Sequence, residues 1–205
     1  MNIETQPKIL AQQFTVQDSV MKTLWSYINN AKDKANYKLV GQIEKEYNID
    51  DAIPYVRDFF YHLILSSKLA ERELKMIARK WRTKDDKRNL PDISLEELWV
   101  NFQKKHEYNP PHFHSGLFSF VIFMKIPFNI EDEKKVINNK DARSPLNGNF
   151  CLYDFNIEAF DYNFEADKTY EGTGFLFSSD QVHAVHPFFT SDEERITVSG
   201  NIYFK

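Results

Sequence analysis

The sequence predicts a single α+β domain, helical over residues 1–90 and β over residues 91–205, the β part a sandwich or jelly roll. Three observations carry this. Apolar side chains recur at helical spacing in the first portion. The pattern changes after the charged run 83–88. Beyond it, aromatic and β-branched residues crowd into short stretches separated by turn residues. At 205 residues the chain falls in the range of one domain and can bury a real core.

The elements follow in order. Residues 1–14 are mixed and read as loosely held or strand-like. Thr15 and Asp18 start a helix, because an acidic first turn complements the exposed amides there. Val20, Leu24, Ile28 and Ala31 carry its stripe to about Lys32. Residues 37–40 read as a short strand ended by Gly41. Asn48 to Asp51 opens a second helix, with Pro54 tolerable in the first turn. Ile53, Val56, Phe60 and Leu63 line it, and Leu74, Ile77 and Trp81 line a third over 69–81. Core packing accounts for each of these stripes.

In the β portion, residues 97–103 alternate, with Trp99, Asn101 and Gln103 on one side and Val100 and Phe102 on the other. Residues 118–126 are almost wholly apolar, as in a strand buried on both faces. Residues 129–149 are polar and read as a long loop, a candidate lid. Alternation returns at 151–157 and 160–164, and 175–177 is a short strand entering a loop up to His183. The last strand runs from about Arg195 to Phe204.

Bulk properties exclude several functions. A formal net charge of −4 gives no basic footprint for nucleic acid. Cys151 is the only cysteine, which rules out an internal disulfide and a cysteine-based zinc site. No apolar run reaches the roughly 18 residues of a membrane span. Residues 1–13 lack the basic-then-apolar layout of a signal peptide. The expectation is a cytoplasmic protein without membrane or nucleic-acid partners.

Four of the six histidines fall in two short stretches, Asn109-Pro-Pro-His-Phe-His and Gln181-Val-His-Ala-Val-His-Pro. On an extended strand His112 and His114 share a face, with Phe113 turned away. His183 is the candidate third imidazole. Three neutral imidazoles on one side of an ion leave positions open for substrate or oxygen, as in non-haem iron oxygenases. The same set suits zinc with a bound water. A His-x-His pair alone is common on surfaces, and company is what raises it. His62 reads as a helix-flank residue, His106 as a turn residue, and His186 as a supporting or surface residue.

In the last strand Arg195, Thr197, Ser199 and Asn201 share one face, and Ile196, Val198 and Ile202 the other. Arg195 could pair with an acid among 192–194. Near three histidines it suggests a pocket for an anion, since guanidinium meets a carboxylate in bidentate fashion. Thr197 could add a hydroxyl to the same carboxylate.

The stretches Trp99-Val-Asn-Phe-Gln, Asn109-Pro-Pro-His-Phe-His-Ser-Gly, Phe118-Ser-Phe-Val-Ile, Ser178-Ser-Asp-Gln-Val-His-Ala-Val-His-Pro and Glu194-Arg-Ile-Thr-Val-Ser-Gly-Asn resemble the 2-oxoglutarate/iron(II) oxygenases of the prolyl-hydroxylase-like group. They are most similar to versions carried by T4-like marine phages and some bacteria. The resemblance covers about residues 97–204; the helical half matches only loosely. It implies a double-stranded β-helix (jelly roll) with the N-terminal helices packed on it. It also implies Fe(II) at His112, His114 and His183, and 2-oxoglutarate as co-substrate at Arg195 with Thr197 beside it. Asn101 is a weaker candidate for the same co-substrate. His114 stands where the commoner pattern has a carboxylate, although the three-histidine version recurs among such relatives. The implied activity is hydroxylation by a dioxygenase, of a protein prolyl side chain or a small metabolite. Two rivals remain: a non-enzymatic metal-binding or phage-associated jelly-roll protein, and a cupin-like three-histidine metalloenzyme without 2-oxoglutarate. Arg195 separates the oxygenase from the cupin-like rival, because only a co-substrate carboxylate calls for it.

Overall fold

The computed structural model describes residues 10–81, 92–136, 142–143, 145–154 and 160–205. The strands are β1 (Ala11–Thr15), β2 (Lys45–Asn48), β3 (Ile93–Gln103), β4 (Asn109–His112), β5 (Phe118–Lys125), β6 (Phe150–Asp154), β7 (Phe160–Phe164), β8 (Thr173–Ser178), β9 (His183–Val185) and β10 (Arg195–Phe204). The helices are α1 (Asp18–Ile28), α2 (Ile53–Ser66), α3 (Lys68–Trp81) and the short α4 (Ile130–Glu133). A six-stranded sheet has the order β1-β8-β5-β10-β3-β2, and a four-stranded sheet the order β4-β9-β6-β7. Their pairings are antiparallel. The two sheets make the jelly roll, and the helices cover its larger sheet.

Strand alternation sorts the side chains into two cores. From β5, Phe118, Phe120 and Ile122 face the helices, where they join Leu24, Val56 and Phe60. Val121 and Phe123, on the opposite face, join Phe150, Leu152, Phe175 and Phe177 between the sheets. Phe60 stacks on Phe120 with ring centroids 4.0 Å apart, locking α2 onto the sheet. Gly200 makes room for that ring: a Cβ there would lie 2.6 Å from Phe120 Cζ and 2.6 Å from the Glu97 carbonyl oxygen. In β10, Val198 and Ile202 point into the helix-side core. The alternate residues Arg195, Thr197 and Asn201 are buried on the other face. The row of polar groups on β10 is therefore an interior row.

The first 90 residues are less purely helical than the sequence suggests. β1 and β2 form the two edges of the larger sheet. The strand expected at 37–40 is instead a 3₁₀ turn over Asn36–Lys38. Asn36 Nδ2 ties this turn to the Ile43 carbonyl at 2.7 Å. The strand forms later, at β2, where β3 offers a free edge. α1 stops at Ile28 rather than near Lys32, and Thr15 lies in β1 rather than at the helix start. The 3₁₀ turn Asp50–Ala52 precedes α2, with Pro54 in its first turn as expected.

Segment 129–149 contains α4, capped by Asn129, whose side chain accepts from the Glu131 amide at 2.9 Å. Glu133 is fully buried and accepts from the amides of Phe189 and Thr190 at 2.9 and 2.8 Å. This part of the segment is a structural clamp on residues 188–190. The charged connector 83–88 lies outside the described residues.

Candidate metal centre

β4 and β9 lie side by side, and His112 is the register partner of His183. β9 also pairs with β6, which puts His183 inside the smaller sheet. His114 follows the end of β4, and its amide donates to the Ser179 carbonyl at 2.8 Å. That bond turns the chain so that the third ring meets the other two. One ring nitrogen from each of His112, His114 and His183 lies within 4.8 Å of the others. No other such group of His, Cys, Asp or Glu occurs among the described residues.

Hydrogen bonds orient two of the rings. His112 Nδ1 lies 2.7 Å from the Pro110 carbonyl, and His183 Nδ1 lies 3.0 Å from the Gln181 carbonyl. A carbonyl only accepts, so each Nδ1 carries the proton and each Nε2 keeps a lone pair for a metal. His114 is packed against Trp99, ring centroids 5.5 Å apart, and His183 against Phe177 at 4.7 Å. Burial lowers the pKa of all three histidines. His183 is held well below its usual value, with the neighbouring imidazoles as a second cause. His114 falls to about 3, through burial first and His112 second. For His112 the bond to Pro110 opposes the burial. Neutral imidazole is the ligating form.

The rings open on a cavity of about 250 Å³ between the sheets. A water occupies about 30 Å³ of liquid, so a small organic acid fits. Thr197 and Asn101 line the cavity as the sequence suggests. They are partners across β10 and β3, and Asn101 Nδ2 lies 3.4 Å from Thr197 Oγ1. Asn101 Oδ1 is buried without a hydrogen-bond partner. An orphaned amide oxygen is costly. The amide group can turn to accept from Thr197 and donate to a ligand oxygen.

Arg195 is on the same face but not in the cavity wall. It is 1% exposed. Its guanidinium donates to Gln103 Oε1 at 2.6 Å, the Gly148 carbonyl at 2.6 Å and the His186 carbonyl at 3.0 Å. The rings of Phe128 and Phe188 flank it at 5.5 and 5.7 Å. Burial lowers its pKa to about 9, with Glu133 opposing. Among the described residues no carboxylate lies within ion-pair distance of it. Its direct hydrogen-bond acceptors are neutral, and the nearest charge acting on it is that of Glu133.

The other histidines stay apart. His62 is exposed on α2. His106 sits in a turn with φ 71°. His186 supplies its carbonyl to Arg195, and its Nε2 lies 3.4 Å from Tyr153 Oη. Two acids not expected at the site line the cavity, Glu46 and Glu97, together with Tyr203. Alternation could have found Glu97, since it shares a face with Trp99 and Asn101. Described residues of segment 129–149 form no part of the cavity wall.

Residues 97–201 match the sequence family described as "Putative 2OG-Fe(II) oxygenase". That span is just over half of the 205 residues and includes all three histidines and Arg195. The chain belongs to this family, a class of oxygenase enzymes. In structure it is similar to a prolyl-4-hydroxylase of Pseudomonas putida, with a TM-score of 0.57 and 11% identity over 95% of this chain and 92% of that one. It is also similar to an oxidoreductase of the 2OG-Fe(II) oxygenase family from Burkholderia pseudomallei, with a TM-score of 0.50 and 11% identity over 93% and 84%. At such identity the likeness is one of fold. A search of curated proteins finds no match. Among the described residues no helix is long and apolar enough to cross a membrane.

Proposed function

We propose that His112, His114 and His183 hold an iron(II) ion and that 2-oxoglutarate lies inward of it, toward Thr197, Asn101 and Arg195. The observation that carries this is the approach of three neutral imidazoles within 4.8 Å at the edge of a cavity that Asn101 and Thr197 also line. When bound, iron and 2-oxoglutarate supply the oxidising chemistry of the class, coupling decarboxylation of the co-substrate to hydroxylation of a substrate C–H bond. The chain's own residues bind and orient. The carbonyls of Pro110 and Gln181 fix the imidazole tautomers. The Asn101–Thr197 pair supplies a donor for a carboxylate through the Asn101 amide, and Arg195 supplies positive charge behind it. Phe150 and Phe177 give the cavity an apolar side, and apolar surroundings strengthen electrostatic contacts.

Three neutral ligands leave the ion its full double charge. That favours an anionic chelator over a neutral one. The substrate is a group bearing an oxidisable C–H bond, with a protein prolyl side chain the first to assay. Cys151, buried and the sole cysteine of the sequence, suits a reducing compartment such as the cytoplasm.

A single observation favours the cupin-like alternative without 2-oxoglutarate: the guanidinium of Arg195 already has acceptors and sits behind the wall. Anaerobic titration with iron(II) and then 2-oxoglutarate separates the two. The oxygenase reading expects the visible charge-transfer band of the chelate. Iron bound with no band on adding 2-oxoglutarate selects the alternative.

A further inference from the structure

At the other end of the cavity from Arg195, Glu97 lies at the rim. It is half-buried and lies on the face of β3 that carries Trp99. Its Oε2 accepts from Asn201 Nδ2 at 2.7 Å and from Tyr203 Oη at 3.0 Å. Both donors use the same oxygen, so the carboxylate is held in place with its second oxygen available. Among the described residues no cation pairs with it. Lys38 also lines the cavity but makes no ion pair with Glu97.

The surroundings are aromatic. Tyr203 and Phe113 both line the cavity, and Phe113 is 67% exposed. A fixed carboxylate with an unused oxygen, in a cavity that aromatic rings also line, attracts one chemistry above others, an organic cation. The spacing fits as well. Glu97 is two strand residues from Trp99, about 7 Å, and Trp99 packs on His114. A charged head at Glu97 would thus leave its carbon stem reaching toward the histidines, as the stem of lysine or arginine does.

We propose that Glu97, with Tyr203 and Phe113, forms a subsite for a cationic group of the substrate, an alkylammonium or a guanidinium. Its role in substrate choice rests on the oxygenase reading; its binding of a cation does not. Either a free amino acid or a residue in a peptide could carry the group.

The test is equilibrium binding to the protein loaded anaerobically with iron(II) and 2-oxoglutarate. The probes are free arginine and lysine, short peptides containing them, and the uncharged counterparts with citrulline and norleucine. The parent is expected to bind the cationic member of a pair at least tenfold more tightly. Glu97→Gln keeps an acceptor for Asn201 and Tyr203 but removes the charge, and is expected to erase that preference. Phe113→Ala alters only an exposed ring, so it serves even if Glu97→Gln does not fold, and is expected to weaken cation binding several-fold. Stronger binding of the peptide arm assigns the source to a polypeptide, and equal binding to a free amine. Equal affinity for charged and uncharged probes, or no binding of either, overturns the subsite, as does an unchanged preference in folded Glu97→Gln. Iron content and 2-oxoglutarate affinity, measured on the same samples, report separately. Loss of both in a parent that still prefers cations would sink the oxygenase reading and leave the subsite standing.

Discussion

His112 and His183 face each other across the β4–β9 pair with ring centroids 4.2 Å apart, each with Nδ1 against the carbonyl two residues before it. The same local device is used twice, on two strands distant in sequence. It directs both Nε2 atoms without help from any other side chain. The orientation of these two rings is therefore set by the strand pairing itself.

The first consequence concerns the two nearby histidines of the second stretch. His183→Ala should abolish iron binding, while His186→Ala should retain most of it, since His186 contributes its backbone carbonyl to Arg195. Metal content of the two purified variants decides the matter. Equal loss in both would mean that the wrong imidazole has been assigned.

Arg195→Lys should weaken 2-oxoglutarate binding, because an ammonium cannot keep the planar set of contacts to Gln103, Gly148 and His186 that fixes the positive charge behind Thr197 and Asn101. Removing the charge altogether, as in Arg195→Ala, should weaken binding further. Arg195→Ala also strands the acceptors at Gln103, Gly148 and His186, at about 1–3 kcal/mol for each group left buried and unsatisfied. Its melting temperature must be read beside its affinity. Iron binding should persist in Arg195→Lys. Unchanged 2-oxoglutarate affinity in that variant and in folded Arg195→Ala would remove Arg195 from the co-substrate site.

Glu46 should make stability depend on pH. Burial, with Glu107 as a second cause, raises its pKa from 4.5 to about 7. Between these values the folded chain holds a proton that the unfolded chain has lost. This group's contribution therefore declines as pH rises from about 4.5 to 7 and stays low above. At about 1.36 kcal/mol per pKa unit, the difference reaches about 3 kcal/mol. Urea unfolding of the parent and of Glu46→Gln at pH 5 and pH 8 is the measurement. The variant should gain on the parent at pH 8 and match it more closely at pH 5. Parallel changes in both proteins would refute the assignment.

Phe60→Ala should destabilise the fold by about 3–5 kcal/mol, as loss of a buried aromatic does. Phe60 lies on the helix side of the larger sheet, stacked on Phe120, away from the histidines. Iron stoichiometry of the folded variant should equal that of the parent. A reduced stoichiometry would show that the helix layer shapes the metal site directly.

Much of this arrangement could be read from the chain. The limits of β10 and the inward face of its polar row follow from strict alternation, and the three histidines from their company. What escaped was set by partners rather than by local pattern. Lys-Glu-Tyr-Asn at β2 has no strand signature and becomes a strand because β3 offers an edge, so Glu46 was not foreseen at the site. β9 spans only three residues, too few for any period. Glu133 reads as one more acid in a charged burst, yet it is buried because the amides of residues 189 and 190 need an acceptor. Arg195 was correctly placed on the inner face, but alternation gives a direction and not a depth.

The double duty of β10 has a consequence for how this chain can change. Val198 and Ile202 hold the helices while Thr197 and Asn201 line the cavity, one residue apart on the same strand. Inserting or deleting one residue within it would exchange the two faces along the rest of the strand. Valine and isoleucine would then meet the cavity, and threonine and asparagine the helices. A frame error in this strand cannot spare the chemistry and spoil only the fold, or the reverse. Variation that survives here must come by replacement, with each face drifting on its own while the count of residues stays fixed.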